Sequence, residues 1–243
     1  MWQPDVPGGS GARHPRKSEK GERIVQDIGK AFTYMFEDEN WFTKILVGGF
    51  FVLVSIALIG IPFVVGYVVE VVQNVAAGRA RPLPEWTNLG DKFVKGLVLA
   101  VAIFIWFIPG YVLQLFGSVL PAIGDQRTVG ALAVLGLIFG CLAFIYNLFV
   151  AFMIPSLMIS YARQPAFGSL FRFSDLFRFI SARFGDYVVV VVLTFVTQIV
   201  AGFGIVLLCI GIILTWFWAA LVNAHLYGQL WRAAEPPVAT TTV

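Results

Sequence analysis

Four long stretches of the chain carry no charged residue: Ile45–Val69, Gly96–Gly124, Thr128–Ala162 and Tyr187–Trp231, of 25, 29, 35 and 45 residues. A hydrocarbon layer about 30 Å thick is crossed by roughly 20 apolar residues in a helix. Each stretch can therefore cross once, and the pattern predicts an all-α integral membrane helical bundle. Residues 41 to 78 form an apolar run with flanking aromatics that would be about 57 Å long as one helix. The Gly60-Ile61-Pro62 step near its middle breaks it. We read two short helices, roughly 43–60 and 62–78, joined by a tight turn, with a re-entrant hairpin as the competing reading. Dividing the last stretch at Gly202-Phe203-Gly204 gives about six transmembrane helices.

Charge placement supports that division. Of the 17 Lys and Arg, Arg127 alone falls on the far side of a six-span layout. The other sixteen lie in the N-terminal region up to Lys44, in segments 79–95 and 163–183, and at Arg232. Basic residues gather on the cytoplasmic side of a membrane. The sequence thus predicts a multi-pass protein of the plasma (cytoplasmic) membrane with both termini cytoplasmic.

The remaining segments divide the chain further. Residues 1–22 are rich in Gly, Pro and charge and read as a disordered cytoplasmic tail. They offer no apolar signal-peptide core, which leaves targeting to the first apolar stretch. Within 23–40, Ile24, Ile28, Phe32 and Phe36 recur every four residues and predict a short amphipathic helix on the membrane surface. The transmembrane domain spans 41–231, and 232–243 forms a short cytoplasmic tail. Two cytoplasmic interfacial amphipathic helices are expected inside that domain. One starts at Pro82-Leu83-Pro84-Glu85-Trp86 and continues through Leu89, Phe93 and Leu97; the other follows Pro165 through Leu170, Phe173, Phe177, Ile180 and Phe184.

Composition narrows the function. Hydrophobic residues make up 58% of the chain and charged residues 13%, half the share usual in soluble domains. The net charge of +3 is concentrated beside the apolar stretches, so no nucleic-acid partner is expected. Cys141 and Cys209 have neither a second cysteine nor a histidine at ligand spacing, so neither metal nor any other cofactor is expected. No nucleophile motif, metalloprotease motif or phosphate loop occurs, and the expectation is a protein that is not an enzyme.

A few polar residues inside the apolar stretches are candidates for chemistry. Glu70, in Gly66-Tyr67-Val68-Val69-Glu70, is the one carboxylate within such a stretch's continuation. It reads either as an ion or substrate site with Tyr67, or as a structural partner of Arg79 or Lys92. Asn223 and His225 sit near the end of the last stretch, where the imidazole reads as a proton relay or as a locally bonded ring. Gln114, Asn147 and Gln198 read as interhelical hydrogen-bonders or as the lining of a polar path, and Gly136 with Gly140 as a close-packing pair. Arg172, Arg178 and Arg183 are read as contacts to anionic lipid headgroups.

Trp41 and Lys44 to Gly49, Ile61-Pro62-Phe63, Gly66-Tyr67…Glu70 and Leu83-Pro84-Glu85-Trp86, with the closing His225-Leu226-Tyr227-Gly228-Gln229-Leu230, resemble an uncharacterised family of polytopic membrane proteins of bacteria and archaea. The resemblance covers about residues 30–231. More distantly, the layout is similar to the membrane domain attached to some glycerophosphodiester phosphodiesterases, without their catalytic domain. The family implies a helical membrane protein and supplies no activity or site residues.

The sequence thus leads to a membrane protein of unknown function, with lipid bilayer, anionic headgroups and other membrane proteins as partners. A non-catalytic subunit or organiser of a membrane complex is the first reading. A small transporter or channel with a site near Glu70 is the second.

Overall fold

A computed structural model describes residues 28–207 and 210–235, apart from the side chains of Leu207 and Ile210. The tail 1–22, Ile24, Cys209 and residues 236–243 lie outside the described residues. Among the described residues eight α-helices follow in order: α1 (Ile28–Thr33), α2 (Trp41–Val54), α3 (Gly60–Ala76), α4 (Leu89–Ala122), α5 (Val129–Arg163), α6 (Phe173–Ala182), α7 (Phe184–Gly202) and α8 (Ile210–Ala234). Short 3-10 turns fill most of the joints, and no strand occurs among the described residues.

Among the described residues the apolar stretches divide into six helices, α2, α3, α4, α5, α7 and α8, where about six transmembrane helices are expected. Three of them are long and apolar enough to cross a membrane: Leu89–Ala122, Val129–Arg163 and α7 with its 3-10 extension to Val206. A fourth span results if Ile28–Glu37 and Trp41–Ala57, bent by 102° at their break, count as one. α2 and α3 form an antiparallel pair of 14 and 17 residues. Their turn is at Leu58, whose φ of 64° is left-handed, two residues before the expected Gly60 step. Pro62 instead falls in the first turn of α3, where its missing N–H has no intrahelical partner to lose. α7 ends at Gly202, the expected division.

α8 is the hub. Phe217, Leu221, Val222, Ala224, Leu226 and Leu230 are fully buried, and α1, α2, α3, α5 and α7 all touch it. Around it, α3 crosses α4 at van der Waals closeness. The space a Cβ on Gly66 would need is filled by the Lys92 backbone, and that of Gly96 by the Pro62 carbonyl. Glycine is therefore required at both positions by the crossing itself.

α4 and α5, of 34 and 35 residues, are each about 51 Å long. They form a hairpin whose distal half extends beyond the other helices. In that half Leu115, Phe116, Leu137, Phe144 and Ile145 all point outward and are well exposed. Pro109, Pro121 and Pro155 lie within these helices, and neighbouring tyrosines serve two of the breaks. The Tyr146 hydroxyl donates to the Trp106 carbonyl at 2.9 Å, beside Pro109. The Tyr187 hydroxyl donates to the Phe152 carbonyl at 2.6 Å and accepts the Ser156 amide at 3.3 Å. It is thus inserted into the helical ladder next to Pro155.

Two amphipathic expectations are corrected. The first loop helix is not a separate interfacial element. Residues 79–88 are non-helical, and Leu89 to Leu97 are the first turns of α4 itself. Of the expected amphipathic segment 23–40, residues 28–40 are described, and their deepest burial is off the Ile28, Phe32, Phe36 stripe. Ala31, Tyr34 and Met35 are buried against the bundle, Phe36 is exposed, and the Tyr34 hydroxyl donates to the Leu221 carbonyl of α8 at 3.0 Å. The second loop helix is present as α6, preceded by a 3-10 turn at Phe167–Phe171. α8 runs on to Ala234, so the expected tail 232–243 begins as helix.

Candidate functional site

Four polar clusters are built into the bundle, each at a different helix contact. The first is a strap. Residues 82–86 run non-helical, as residues before and at prolines do, and three successive backbone acceptors along them are met. Asn74 Nδ2 donates to the Pro82 carbonyl at 2.8 Å, Lys44 Nζ to Leu83 at 3.3 Å, and the Tyr67 hydroxyl to Pro84 at 3.0 Å. Trp86 Nε1 donates back to the Lys44 carbonyl at 2.9 Å. The Trp86 ring stacks on Tyr67, with centroids 4.2 Å apart, and on Phe51 at 4.9 Å. Lys44 is buried and sits between Asp38 at 2.8 Å and Glu85 at 2.7 Å. Asp38 is buried too, whereas Glu85 reaches solvent. One ammonium thereby ties the N-terminal turn, α2 and the strap together.

The second cluster holds Glu70. Its carboxylate meets the buried Lys92 at 2.8 Å and lies 3.8 Å from Lys95, which in turn pairs with Asp91 at 2.6 Å. Lys92 also donates to the Thr87 carbonyl at 2.8 Å. Of the two expected partners, Lys92 is the one at Glu70. Gln73 Nε2, one helical turn on, donates to the Ala162 carbonyl and joins α3 to α5.

The third lies between α7 and α8. Thr197 donates to Asn223 Oδ1 at 2.7 Å, and Thr194 donates to the Tyr227 hydroxyl at 3.2 Å. His225 is buried and stacks on Tyr34 at 4.4 Å, so it packs in the core beneath the 3-10 turn that follows α1.

The fourth is at the end of α5. Arg163, Arg172 and Arg178 line a cavity of about 420 Å³ together with Asp175, Phe179 and Glu235. Arg183 is elsewhere, at the start of α7, paired with Asp186 at 2.8 Å. Arg163 was not among the predicted site residues. It is the first charge after a 35-residue uncharged run, and its neighbours Phe179 and Trp231 come from distant parts of the sequence.

The predicted residues therefore do not converge. Tyr67 serves the strap, Glu70 the α3–α4 contact, Asn223 the α7–α8 contact and His225 the contact between α8 and the turn after α1. Gln114 faces outward on the distal hairpin, in a shallow groove with Gly136, Gly140 and Cys141. Asn147 fills the space a Cβ on Gly110 would need, and its Oδ1 has no hydrogen-bond partner among the described residues. No three His, Cys, Asp or Glu among the described residues are grouped as a metal would need.

The architecture and these contacts define a helical bundle with membrane-length apolar helices, stapled along its charged side. The chain belongs to the family described as Protein of unknown function (DUF4013), whose model matches residues 49–210, two thirds of its length. Lys44, Asp38 and most of the α8 hub, Asn223 and His225 included, fall outside that match. No curated protein and no solved structure matches the chain.

Proposed function

We propose that this protein is a non-catalytic, multi-pass organiser of the cytoplasmic membrane, with both termini and the arginine-bearing loops on the cytoplasmic side. The observation that carries this reading is the dispersal of the polar groups. Glu70, Asn223 and Gln73 are each committed to a different helix contact, and each has a partner that satisfies it. A transport path needs such groups to face one water-accessible route. The distal α4–α5 hairpin instead offers a broad apolar surface to lipid or to another membrane protein.

The transporter reading rests on Glu70 with Lys92 and Lys95, and it is tested directly. The protein reconstituted in liposomes should pass neither protons nor alkali ions above the protein-free rate. A flux in the wild type that Glu70→Gln abolishes, in protein still monodisperse by size exclusion, would establish transport instead. The topology is tested by single cysteines in a background lacking Cys141 and Cys209. Arg81→Cys and Arg172→Cys should react from one side of sealed vesicles and Arg127→Cys from the other. Labelling of Arg81→Cys and Arg172→Cys from opposite sides would overturn the layout.

A further inference from the structure

We propose that the cavity where α5, α6 and α8 meet binds an anionic phosphate ester through Arg163, Arg172 and Arg178. The inference rests on the cytoplasmic placement of this face and gives the general attraction to headgroups a defined site. Its volume of about 420 Å³ lies within the range of small-ligand sites. Three guanidinium groups face two carboxylates, Asp175 and Glu235, which leaves one positive charge uncompensated. A phosphodiester carries one negative charge.

The guanidinium donors are underused. Each arginine offers five N–H groups in a planar fork that matches phosphate oxygens. Arg163 gives Nη1 to Glu235 at 3.1 Å, while its Nε and Nη2 are sealed from solvent and have no partner among the described residues. Arg172 meets only a neutral oxygen in its hydrogen bond, Gln164 Oε1 at 3.4 Å. Arg178 reaches Asp175 at 3.2 Å from a side chain that is 82% exposed, so it is free to turn inward. Arg163 is held between the rings of Phe179 at 4.7 Å and Trp231 at 5.6 Å. Those contacts fix one fork of the site before any ligand arrives. The floor is apolar, with Ile159, Leu176 and Ala234, and suits the carbon skeleton of an ester better than a bare ion.

Glu235 supplies the internal competitor. One carboxylate oxygen is on Arg163 and the other accepts the Trp231 indole N–H at 3.0 Å. The carboxylate thus holds the position an incoming phosphate would take. Removing its charge should strengthen binding.

The test uses the full chain purified in detergent, with two probes. One is phosphatidylglycerol, measured as lipid retained per protein by native mass spectrometry against phosphatidylcholine. The other is glycerophosphoglycerol, the same headgroup without acyl chains, measured by its thermal shift. Arg163→Gln and Arg172→Gln should each weaken binding by about tenfold, the loss expected of one charge-assisted hydrogen bond. Glu235→Gln should tighten it, and Arg183→Gln, outside the cavity, should leave it unchanged. Arg172 and Glu235 are exposed, so those two variants keep the test valid if Arg163→Gln fails to fold. Binding of the lipid alone identifies a membrane headgroup, and equal binding of both probes a soluble phosphate ester. The inference is overturned if neither probe binds, if Glu235→Gln weakens binding, or if Arg183→Gln matches Arg163→Gln. Vesicle labelling that placed Arg172 on the outer side would defeat the organiser reading without touching the binding result.

Discussion

The two halves of α4 are built on different principles. In its first half Lys92, Gly96, Leu99, Ala102 and Trp106 are buried, and the helix is joined to its surroundings by an ion pair, an indole hydrogen bond from Trp106 to the Leu170 carbonyl and a backbone crossing. In its second half nearly every large side chain faces outward, and α5 is its close neighbour. There the helices meet through Gly117 against the Gly136 and Gly140 backbone. The charged side of the molecule is thus fixed by specific polar pairs that must be matched. The distal arm is held mainly by shape, with the Tyr146 hydroxyl on the Trp106 carbonyl and the Asp125 turn as its polar contacts, and its exposed apolar surface requires lipid or a partner.

The widest separation between the two regions should come from Lys44→Ala. It leaves Asp38 buried without its cation, and breaking a buried pair in this way costs about 3–5 kcal/mol. Leu115→Ala, on the outward face of the distal arm, should change unfolding in detergent hardly at all. If the two variants unfold at the same denaturant concentration, the strap is not what fixes the charged side.

A sharper version contrasts glycines. Gly96→Ala places a methyl group into the Pro62 carbonyl, which is backbone and cannot swing away. Overpacking of this kind costs about 1–3 kcal/mol. Gly140→Ala meets open space and should lie within about 0.5 kcal/mol of the wild type. Equal melting temperatures for the two would show that the α3–α4 crossing yields more easily than its geometry implies.

The same contrast explains what could be read from the sequence. The partition into apolar stretches follows from where charge is tolerated, the end of α7 at Gly202 from the Gly202-Phe203-Gly204 step, and for Glu70 the sequence offers Arg79 or Lys92, of which the fold takes Lys92. The buried faces do not. In water an apolar stripe marks the core, but against lipid it marks the outside equally well. Ile28 and Phe32 are thus only half-buried, Phe32 against Trp218, and Phe36 is exposed, while the deepest burial falls on Ala31, Tyr34 and Met35, off the stripe. Pro82 and Pro84 look like helix starters, yet their carbonyls are taken by Asn74 and Tyr67, which keeps the strap non-helical. Arg163 gave no local signal, since its cavity is assembled from segments far apart in the chain.

Tyr187→Phe probes a contact of intermediate size. It removes the hydroxyl that bridges the Phe152 carbonyl and the Ser156 amide beside Pro155, and leaves the ring packed on Phe152. A loss of about 1 kcal/mol is expected from one buried hydrogen bond. A loss several times larger would mean that the hydroxyl sets the course of α5 and does more than satisfy its break.

The smallest effect is expected at the far tip of the distal arm, where Asp125 closes the α4–α5 turn. Its carboxylate accepts the Thr128 hydroxyl at 2.6 Å and the amides of Thr128 and Arg127 at 2.8 and 3.1 Å. The Thr128 hydroxyl first, then these amides, hold the carboxyl below its ordinary range. A folded-state value below the unfolded one stabilises the fold above the unfolded value, near pH 4, and that stability is lost as pH falls through the folded value. The group is fully exposed, so solvent screens most of the gain. Thr128→Val should therefore leave neutral-pH unfolding almost unchanged and bring the carboxyl titration of Asp125, followed by NMR, back toward the ordinary range. If Lys44→Ala and Thr128→Val destabilised the protein equally at neutral pH, the division between a stapled charged side and an arm held by shape would fail at its weakest point.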